Sequence, residues 1–212
     1  MPNLSSHIQT FSYVDNPYAG NDFILEALSG FLTQTQNGGD ITWDGYKWVI
    51  NTHQTLNGGA NIQKIDELAI YPYTWAKRHQ VRTRVESTIA NDPLGDYFLW
   101  HGNPDGPFNG FGLIFTPTKI IGRTGDLTST TDLDLIIGLE PGTPYQHKYE
   151  MIFYPGNGVY FYIDDVFVNK IVDTLPYDDS DAYFVFDIRC FNGTDTMGGS
   201  IALSRLQISQ DI

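Results

Sequence analysis

The sequence predicts an all-β fold, an antiparallel two-sheet jelly-roll sandwich, from three observations. Apolar and polar residues alternate with a period of two through most of the 212 residues, which is the pattern of half-buried strands. Turn residues recur about every ten positions and divide the chain into about twelve to fourteen short strands. Hydrophobic residues make up 41% of the chain and charged residues 17%, enough for a sizeable core. We therefore expect one domain over residues 1–212, with residues 1–21 as an N-terminal strand or arm.

Local patterns place the individual strands. In "VRTRVE", Val81, Thr83 and Val85 share one face, as in a half-buried strand. The stretch "ITWDGYKWVI" predicts a hairpin with a two-residue turn at Asp44-Gly45, because a type I′ turn needs positive φ at both positions. Residues 101–110 and 122–134 have the composition of long loops, and only residues 21–31 suit a short helix. Further strands are expected at residues 8–14, 31–35, 62–70, 97–101, 111–116, 149–154, 183–191 and 201–208.

The stretch "GVYFYIDDVFVNKI", residues 158–171, predicts another hairpin, with Asp164-Asp165 as its loop. Aspartate tolerates left-handed geometry, whereas a metal role would need further oxygens that the hairpin lacks. The pairs expected on the core face are Ile163 with Val166, Phe161 with Val168, and Val159 with Lys170. The opposite face would carry the aromatic-rich set Tyr160, Tyr162, Phe167 and Asn169. That set is either cross-strand ring packing or a platform on which a sugar stacks.

Two C-terminal strands carry further signals. In "YFVFDIRC" the residues expected to point inward are Phe184, Phe186, Ile188 and Cys190. Asp187 and Arg189 then lie on the other face, as a surface ion pair or as partners for sugar hydroxyls. In "SIALSRLQIS" the apolar parity slips by one residue, which predicts a β-bulge near Ser204 and Arg205. The single cysteine, Cys190, excludes an intrachain disulfide and suits a small core residue.

The segments "NGFGLIF", "KYEMIFYPGNGVYFYIDDVFVNKIVDTLP" and "GGSIALSRLQIS" follow one another in residues 110–212. In this order of strand, tight turn, returning strand and Leu-Pro loop, the chain resembles the concanavalin A-like lectin/glucanase superfamily. That jelly roll is shared by laminin G-like modules, legume lectins, laminarinase-type glucanases and many virion or tail proteins. Asp165 stands where the family usually has glycine. The resemblance implies the fold more than a function.

No catalytic motif is present. The resemblance to laminarinase-type glucanases would require Glu-x-Asp-x-x-Glu on one strand, but the glutamates are isolated: Glu26, Glu67, Glu86, Glu140 and Glu150. Asp132 and Asp134 could share a strand face, but they fall in the expected loop. The five histidines show no zinc-site spacing. We therefore expect a non-enzyme.

Candidate binding residues form three groups. Aromatic side chains that could stack on a sugar are Tyr160 and Tyr162, together with Tyr71, Tyr73 and Trp75 in "YPYTW". Asp187 and Arg189 form the polar group. The one cofactor that the sequence suggests is calcium, with oxygen ligands from Asn103, Asp105 and Asn109, or from Asp126, Asp132 and Asp134. Laminin G-like and lectin relatives often carry such an ion, but their ligand positions do not map onto these residues.

Two function classes follow. The preferred one is a non-catalytic structural or display module on a virion or other surface assembly, and the alternative is a carbohydrate-binding module or lectin. The expected partners are protein neighbours or glycans, with a homo-oligomer left open. A net charge of −13 disfavours nucleic acid. The sequence shows neither a signal peptide nor an apolar run of 18 residues, so we expect synthesis in the cytoplasm and no membrane insertion.

Overall fold

The computed structural model of the chain describes residues 8–11, 32–44, 46–53, 58–65, 74–90, 96–103, 108–178, 185–193 and 198–211. These residues form fifteen strands and include no helix that could cross a membrane. The strands are β1 Ile8–Phe11, β2 Leu32–Gln36, β3 Asp40–Trp43, β4 Trp48–Asn51, β5 Gly59–Ile65, β6 His79–Ile89, β7 Asp96–Asn103, β8 Asn109–Phe115, β9 Lys119–Asp126, β10 Thr130–Ile137, β11 Tyr145–Tyr154, β12 Gly158–Ile163, β13 Val166–Ile171, β14 Val185–Phe191 and β15 Gly199–Asp211.

The strands build two antiparallel sheets. Sheet A has the order β13-β12-β11-β6-β15-β4-β3, with β1 also pairing β15, and sheet B has the order β10-β9-β8-β7-β14-β5-β2. Long strands lie in the middle of sheet A, where β6 pairs with β11 on one side and β15 on the other. The predicted all-β, two-sheet antiparallel fold is confirmed.

The core lies between the two sheets and is filled by aromatic and β-branched side chains. The "VRTRVE" strand behaves as predicted, because Val81, Thr83 and Val85 are buried. Rings from each sheet reach glycines of the other. Phe161 of sheet A lies on Gly122 of sheet B, where a β-carbon would come within 2.8 Å of the ring. Cys190 is also buried, as expected, and burial raises the pKa of its thiol.

A buried polar pair interrupts this apolar interior. His79 of β6 and His101 of β7 approach within 3.0 Å (Nδ1 to Nε2), and the Nε2 of His79 lies 2.8 Å from the carbonyl oxygen of Thr74. Because Nε2 of His79 donates to that carbonyl, its Nδ1 accepts from His101. Trp75 packs against both rings, with centroids 4.6 and 5.5 Å away.

Two local predictions need correction, and a third cannot be compared with the structure. Residues 122–134 are not a loop, because they form most of the β9–β10 hairpin. The β3–β4 hairpin is present, but Trp43 pairs with Trp48, so four residues connect the strands instead of two. The Asp44 carboxylate holds that connection by accepting from the backbone amides of Tyr46 and Lys47, which lowers its pKa. The expected helix at residues 21–31 lies outside the described residues.

The β12–β13 hairpin has the predicted loop but a different register. Asp164 and Asp165 have φ of 51° and 67°, as a two-residue left-handed turn requires. Ile163 pairs with Val166 as expected, but Phe161 pairs with Asn169 and Val159 with Ile171. A β-bulge in β13 adds one residue, and this shifts every later pair by one position. The apolar Ile171, instead of Lys170, therefore lies opposite Val159 and is buried.

The second predicted bulge is confirmed. The register of β15 against β6 shifts between Leu203 and Arg205. Leu203 and Leu206 are consequently both buried despite their odd spacing. The slip of apolar parity in the sequence therefore reported a real irregularity of the strand.

Candidate functional site

Asp187 and Arg189 lie on the outer face of sheet B, but they are not a surface pair. The Nη2 of Arg189 lies 2.7 Å from Oδ2 of Asp187, whose side chain is completely buried. Gln63 of the neighbouring strand donates to the same oxygen at 3.0 Å. The guanidinium of Arg189 also lies 4.9 Å from the ring centroid of Phe98. The predicted ion pair exists, yet the expected exposure was wrong, and no sugar can reach the carboxylate as it stands.

The same face carries a tryptophan that is equally covered. Trp100 lies beside Asp187 in register, is 1% exposed, and lies over Gly112, where a β-carbon would meet the indole at 2.7 Å. Residues of the types that bind sugars are thus present on sheet B, but they pack against each other.

The structure also revises the prediction that "YPYTW" is an aromatic loop for sugar binding. Trp75 is 3% exposed and its indole is surrounded by His79, His101, Phe111 and Phe153. Its backbone amide donates to the carboxylate of Asp178 at 2.6 Å. Trp75 is therefore a core residue and offers no ring face to a ligand. Tyr71 and Tyr73 lie outside the described residues.

The proposed calcium ligands have other roles where the structure describes them. Asn109 is buried, and its amide donates to the carbonyl of Tyr177 and accepts from the amide of the same residue. Asn103 is its cross-strand partner, and Asp105 lies outside the described residues. Asn109 is thus a clamp between β8 and the segment after β13, and the calcium prediction finds no support in it.

The alternative calcium ligands are also engaged. Asp126 accepts from Thr128 and Ser129 in its own turn, and these bonds lower its pKa. Asp132 pairs with Arg123 at 2.6 Å and Asp134 with Lys119 at 2.8 Å, across the β9–β10 hairpin. Within the described part of the chain, no three His, Cys, Asp or Glu side chains are grouped to hold a metal ion.

The outer face of sheet A is different, because it presents a polar row that the sequence did not single out. Register aligns Tyr162 of β12, Glu150 of β11, Arg82 of β6 and Gln207 of β15 across four adjacent strands. The Nε of Arg82 lies 3.0 Å from Oε1 of Glu150, which also accepts a bond from Gln80. Glu150 and Gln207 are buried, and the Oε1 of Gln207 has no hydrogen-bond partner in the described chain, whereas Tyr162 and Arg82 are partly exposed. We call these four residues the polar row.

The predicted aromatic residues flank this row on β12 and β13. Tyr160 makes an edge contact with Tyr154 at 5.4 Å, its hydroxyl donates to Asn157 at 3.1 Å, and the ammonium of Lys170 lies 5.2 Å from its ring. Tyr162 contacts Phe167 at 5.5 Å, and its hydroxyl makes no hydrogen bond to the described residues. Both tyrosines are half-buried. Tyr160 is therefore held by its neighbours, and Tyr162 is the ring with an unused hydroxyl next to polar partners.

A cleft of about 550 Å³ lies at the other end of the same face. Its floor is a second register-aligned set, in which Ser200 of β15 pairs with Asn51 of β4 and Thr88 of β6. The remaining lining residues come from turns and strand ends around this floor: His53, Ala90, Gly142, Gly198 and Gly199. We call this the end cleft.

The end cleft was missed from sequence because nothing local links residues 51, 88, 142 and 200. The polar row was missed for a similar reason. The alternation in "VRTRVE" did place Arg82 on the outer face, but only strand order shows that Glu150 and Gln207 are its neighbours. Tyr162 was the one member of either set that sequence reasoning selected.

Comparisons with known proteins show no matching family model and no matching curated protein. Solved structures do match. The carbohydrate recognition domain of Emp47p is 10% identical, with a TM-score of 0.61 over 98% of this chain and 99% of that chain. The endo-β-1,4-glucuronan lyase of the fungus Trichoderma reesei is 10% identical, with a TM-score of 0.57 over 84% and 89%.

A structure of botulinum neurotoxin type C, whose cell entry depends on interaction with two ganglioside molecules, is 7% identical, with a TM-score of 0.59. It covers 84% of this chain, but the chain spans only 42% of its length. At these identities the likeness concerns the fold. The chain has the concanavalin A-like jelly-roll fold that its sequence predicted.

Proposed function

We propose that the chain is a non-catalytic glycan-binding module whose binding face is the outer face of sheet A. The observation that carries this proposal is the polar row, in which a tyrosine, a carboxylate, a guanidinium and an amide lie side by side on four strands. A tyrosine ring packs against the apolar face of a sugar while a guanidinium bonds to its hydroxyls, and Tyr162 and Arg82 are the partly exposed members of the row. Rigid strands, instead of loops, hold these groups in place.

The likeness to a carbohydrate recognition domain and to a toxin that uses gangliosides supports the same proposal. It adds to the geometry and does not replace it, because the identities are 10% and 7%. Because the fold is also similar to that of a glucuronan lyase, catalytic activity has to be tested as well. A glycan that binds should therefore also be incubated with the protein, and release of shortened chains would contradict the non-catalytic part of the proposal.

The experiment is a glycan array followed by titration calorimetry of each hit. Tyr162→Ala should lower affinity at least tenfold, because it removes the ring and the unused hydroxyl, while Arg82→Gln should weaken binding and also leave Glu150 less well paired. Tyr46→Ala is the matched control, since Tyr46 is a tyrosine 79% exposed in the β3–β4 turn, away from the row. If Tyr162→Ala binds every hit as the wild type does, the polar row is not the binding face.

A display role on a virion or other assembly is the second candidate, and one observation favours it. The edge strand β13 is exposed over most of its length, including the apolar side chains of Val166, Phe167 and Val168. Exposed apolar side chains of this kind mark protein contacts. Light scattering of the protein with and without candidate particles, repeated with Phe167→Ser, tests this role. A monomer that ignores all particles but retains its glycan would argue against it.

A further inference from the structure

We infer that the end cleft is a second subsite, which takes a neutral, hydroxyl-rich sugar unit of the glycan chain that the polar row binds. The inference rests on the proposed function of the outer face of sheet A. It adds where the glycan runs across this face, that the glycan must span about 20 Å to contact both sites, and that its distal unit is uncharged.

The lining of the cleft selects the ligand class. Its floor offers the hydroxyls of Ser200 and Thr88 and the side-chain amide of Asn51, and none of these donors has a hydrogen-bond partner in the described chain. The described lining residues include no lysine or arginine, so an anionic ligand would find no counter-charge among them. Among the described lining residues no apolar side chain is larger than the methyl group of Ala90, so an apolar ligand would find no large side chain to pack against. The ligand groups that match this lining are therefore neutral hydroxyls.

His53, the one ionisable side chain among the described lining residues, is already engaged. The Nε2 of His53 lies 2.9 Å from Oδ2 of Asp40, and its backbone amide donates to Oδ1 of Asn51 at 2.7 Å. Asn192 in turn donates to the carbonyl of His53 at 2.8 Å. These bonds fix the turn after β4 and orient Asn51 so that its amide nitrogen remains available for a ligand.

The opposite walls are fixed as well. The amide of Gly142 donates to the carbonyl of Ile89 at 2.8 Å, and the amide of Ala90 donates to the carbonyl of Gly198 at 3.3 Å. A β-carbon at Gly142 would meet no atom within 4 Å, so this wall has open space in front of it. The volume of about 550 Å³ also lies in the usual range of small-ligand sites, roughly 300–1,000 Å³. The cleft is therefore preformed and has room for a ligand.

The two sites lie on one line along β6. Arg82 and Thr88 are six residues apart on the same face, which is about 20 Å in an extended strand. A single sugar unit cannot contact both sites, whereas an oligosaccharide that follows β6 can. Because the second contact is then intramolecular, affinity should rise steeply once the oligosaccharide is long enough to span the two sites.

The experiment measures affinity against chain length. Linear neutral oligosaccharides of glucose, mannose and galactose, from one unit to about eight, are titrated into the wild type and four variants. Ser200→Gln fills the floor, and Thr88→Val removes one hydroxyl at constant shape. Thr130→Val makes the same change on an exposed strand of sheet B, and Tyr162→Ala reports on the polar row.

For the wild type we expect affinity to rise at least tenfold between short chains and chains that span about 20 Å. Ser200→Gln should abolish that gain, Thr88→Val should lower long-chain affinity about fivefold, and Thr130→Val should match the wild type. Thermal melting identifies any variant that is unfolded. If Ser200→Gln is unfolded, Thr88→Val still tests the cleft.

The contrary outcomes separate the two proposals. If Ser200→Gln and Thr88→Val bind long chains as the wild type does, the end cleft is not a subsite, while a loss in Tyr162→Ala would still support the polar row. If acidic glycans bind on the glycan array while the neutral oligosaccharides do not bind, the neutral ligand class is wrong. Failure of the wild type to bind any glycan overturns both proposals.

Discussion

The outer faces of the two sheets carry similar side chains in opposite settings. On sheet B, Asp187, Arg189 and Trp100 form a cluster in which the carboxylate and the indole are buried. On sheet A, Tyr162, Glu150 and Arg82 form a row with a half-buried ring and a partly exposed guanidinium. Both sets combine an aromatic ring with an ion pair, which is the composition that sequence reasoning associates with sugar binding.

The difference shows that residue type does not identify a binding face. On sheet B the carboxylate of Asp187 and the guanidinium of Arg189 bond to each other, and the carboxylate is completely covered, so the pair stabilises the fold. On sheet A the half-buried ring of Tyr162 carries a hydroxyl that makes no hydrogen bond to the described residues, and a cleft lies further along the same face. Unused hydrogen-bonding capacity near open space is the better sign of a site.

The largest expected effect comes from breaking the ion pair of sheet B. Asp187→Ala should lower the free energy of unfolding by about 4 kcal/mol, because it leaves the guanidinium of Arg189 without its carboxylate in a mostly buried site. The matched change on sheet A is Glu86→Ala, which breaks the more exposed pair with Lys47 and should cost less than about 1 kcal/mol. Urea denaturation measures both. Equal losses would show that the two faces do not differ in burial as described.

Acid should produce the next largest effect, through polar groups sealed between the sheets. Burial lowers the pKa of His79 to about 4 and lowers that of His101 well below its usual range. As pH falls below about 6.5, the unfolded chain binds protons that the folded chain excludes. The free energy of unfolding is therefore highest above pH 6.5 and should drop by about 3 kcal/mol at pH 4 from His79 alone.

Urea midpoints at pH 7, 5.5 and 4 test this acid sensitivity. His79→Gln should flatten the pH dependence, because it removes an imidazole that burial keeps unprotonated in the folded chain. Carboxylates with a lowered pKa, such as that of Asp164, begin to lose their contribution near pH 5 and lose most of it below their usual value of 3.8, so the comparison with His79→Gln is what isolates the histidine. A wild-type midpoint that stays constant from pH 7 to pH 4 would contradict the role of the buried histidines.

The smallest expected effect is a gain in the free energy of unfolding, from a change in the turn between β12 and the edge strand β13. Asp165→Gly should raise the free energy of unfolding by up to about 1 kcal/mol, because glycine adopts the positive φ of this turn position without steric cost. The change also removes the exposed contact between Asp165 and Lys148, which is worth little. Thermal melting measures the gain. Asp164→Gly is the contrast, since Asp164 accepts from His147 and from the amide of Lys148, and that variant should be destabilised.

Much of the fold was predictable because the signals are local. Alternation located β6, the aspartate pair located the turn between β12 and β13, and a slip of parity located the bulge in β15. The bulge in β13 was missed because the apolar and polar residues of "VFVNKI" are compatible with the register of the β12–β13 hairpin both with and without a bulge. Only the burial of Ile171 opposite Val159 selects one of them.

The candidate site was less predictable. Tyr162 was selected because an aromatic residue on an outward position is visible in the sequence. Its partners were not, since Glu150, Arg82 and Gln207 come from three separate strands whose order depends on long-range pairing. The end cleft combines residues from three strands and their neighbouring connections, and no local pattern records their proximity.

The sequence by itself determined the all-β class, the antiparallel sandwich, the turn chemistry and which side of each strand is apolar, because these depend on the period and the local propensity of neighbouring residues. Tertiary structure decided which polar residues are sealed and which are open. Asp187 and Arg82 look alike in sequence, each on the polar side of an alternating strand. Their burial depends on what the rest of the chain packs against them, and only the folded arrangement of the two sheets fixes that.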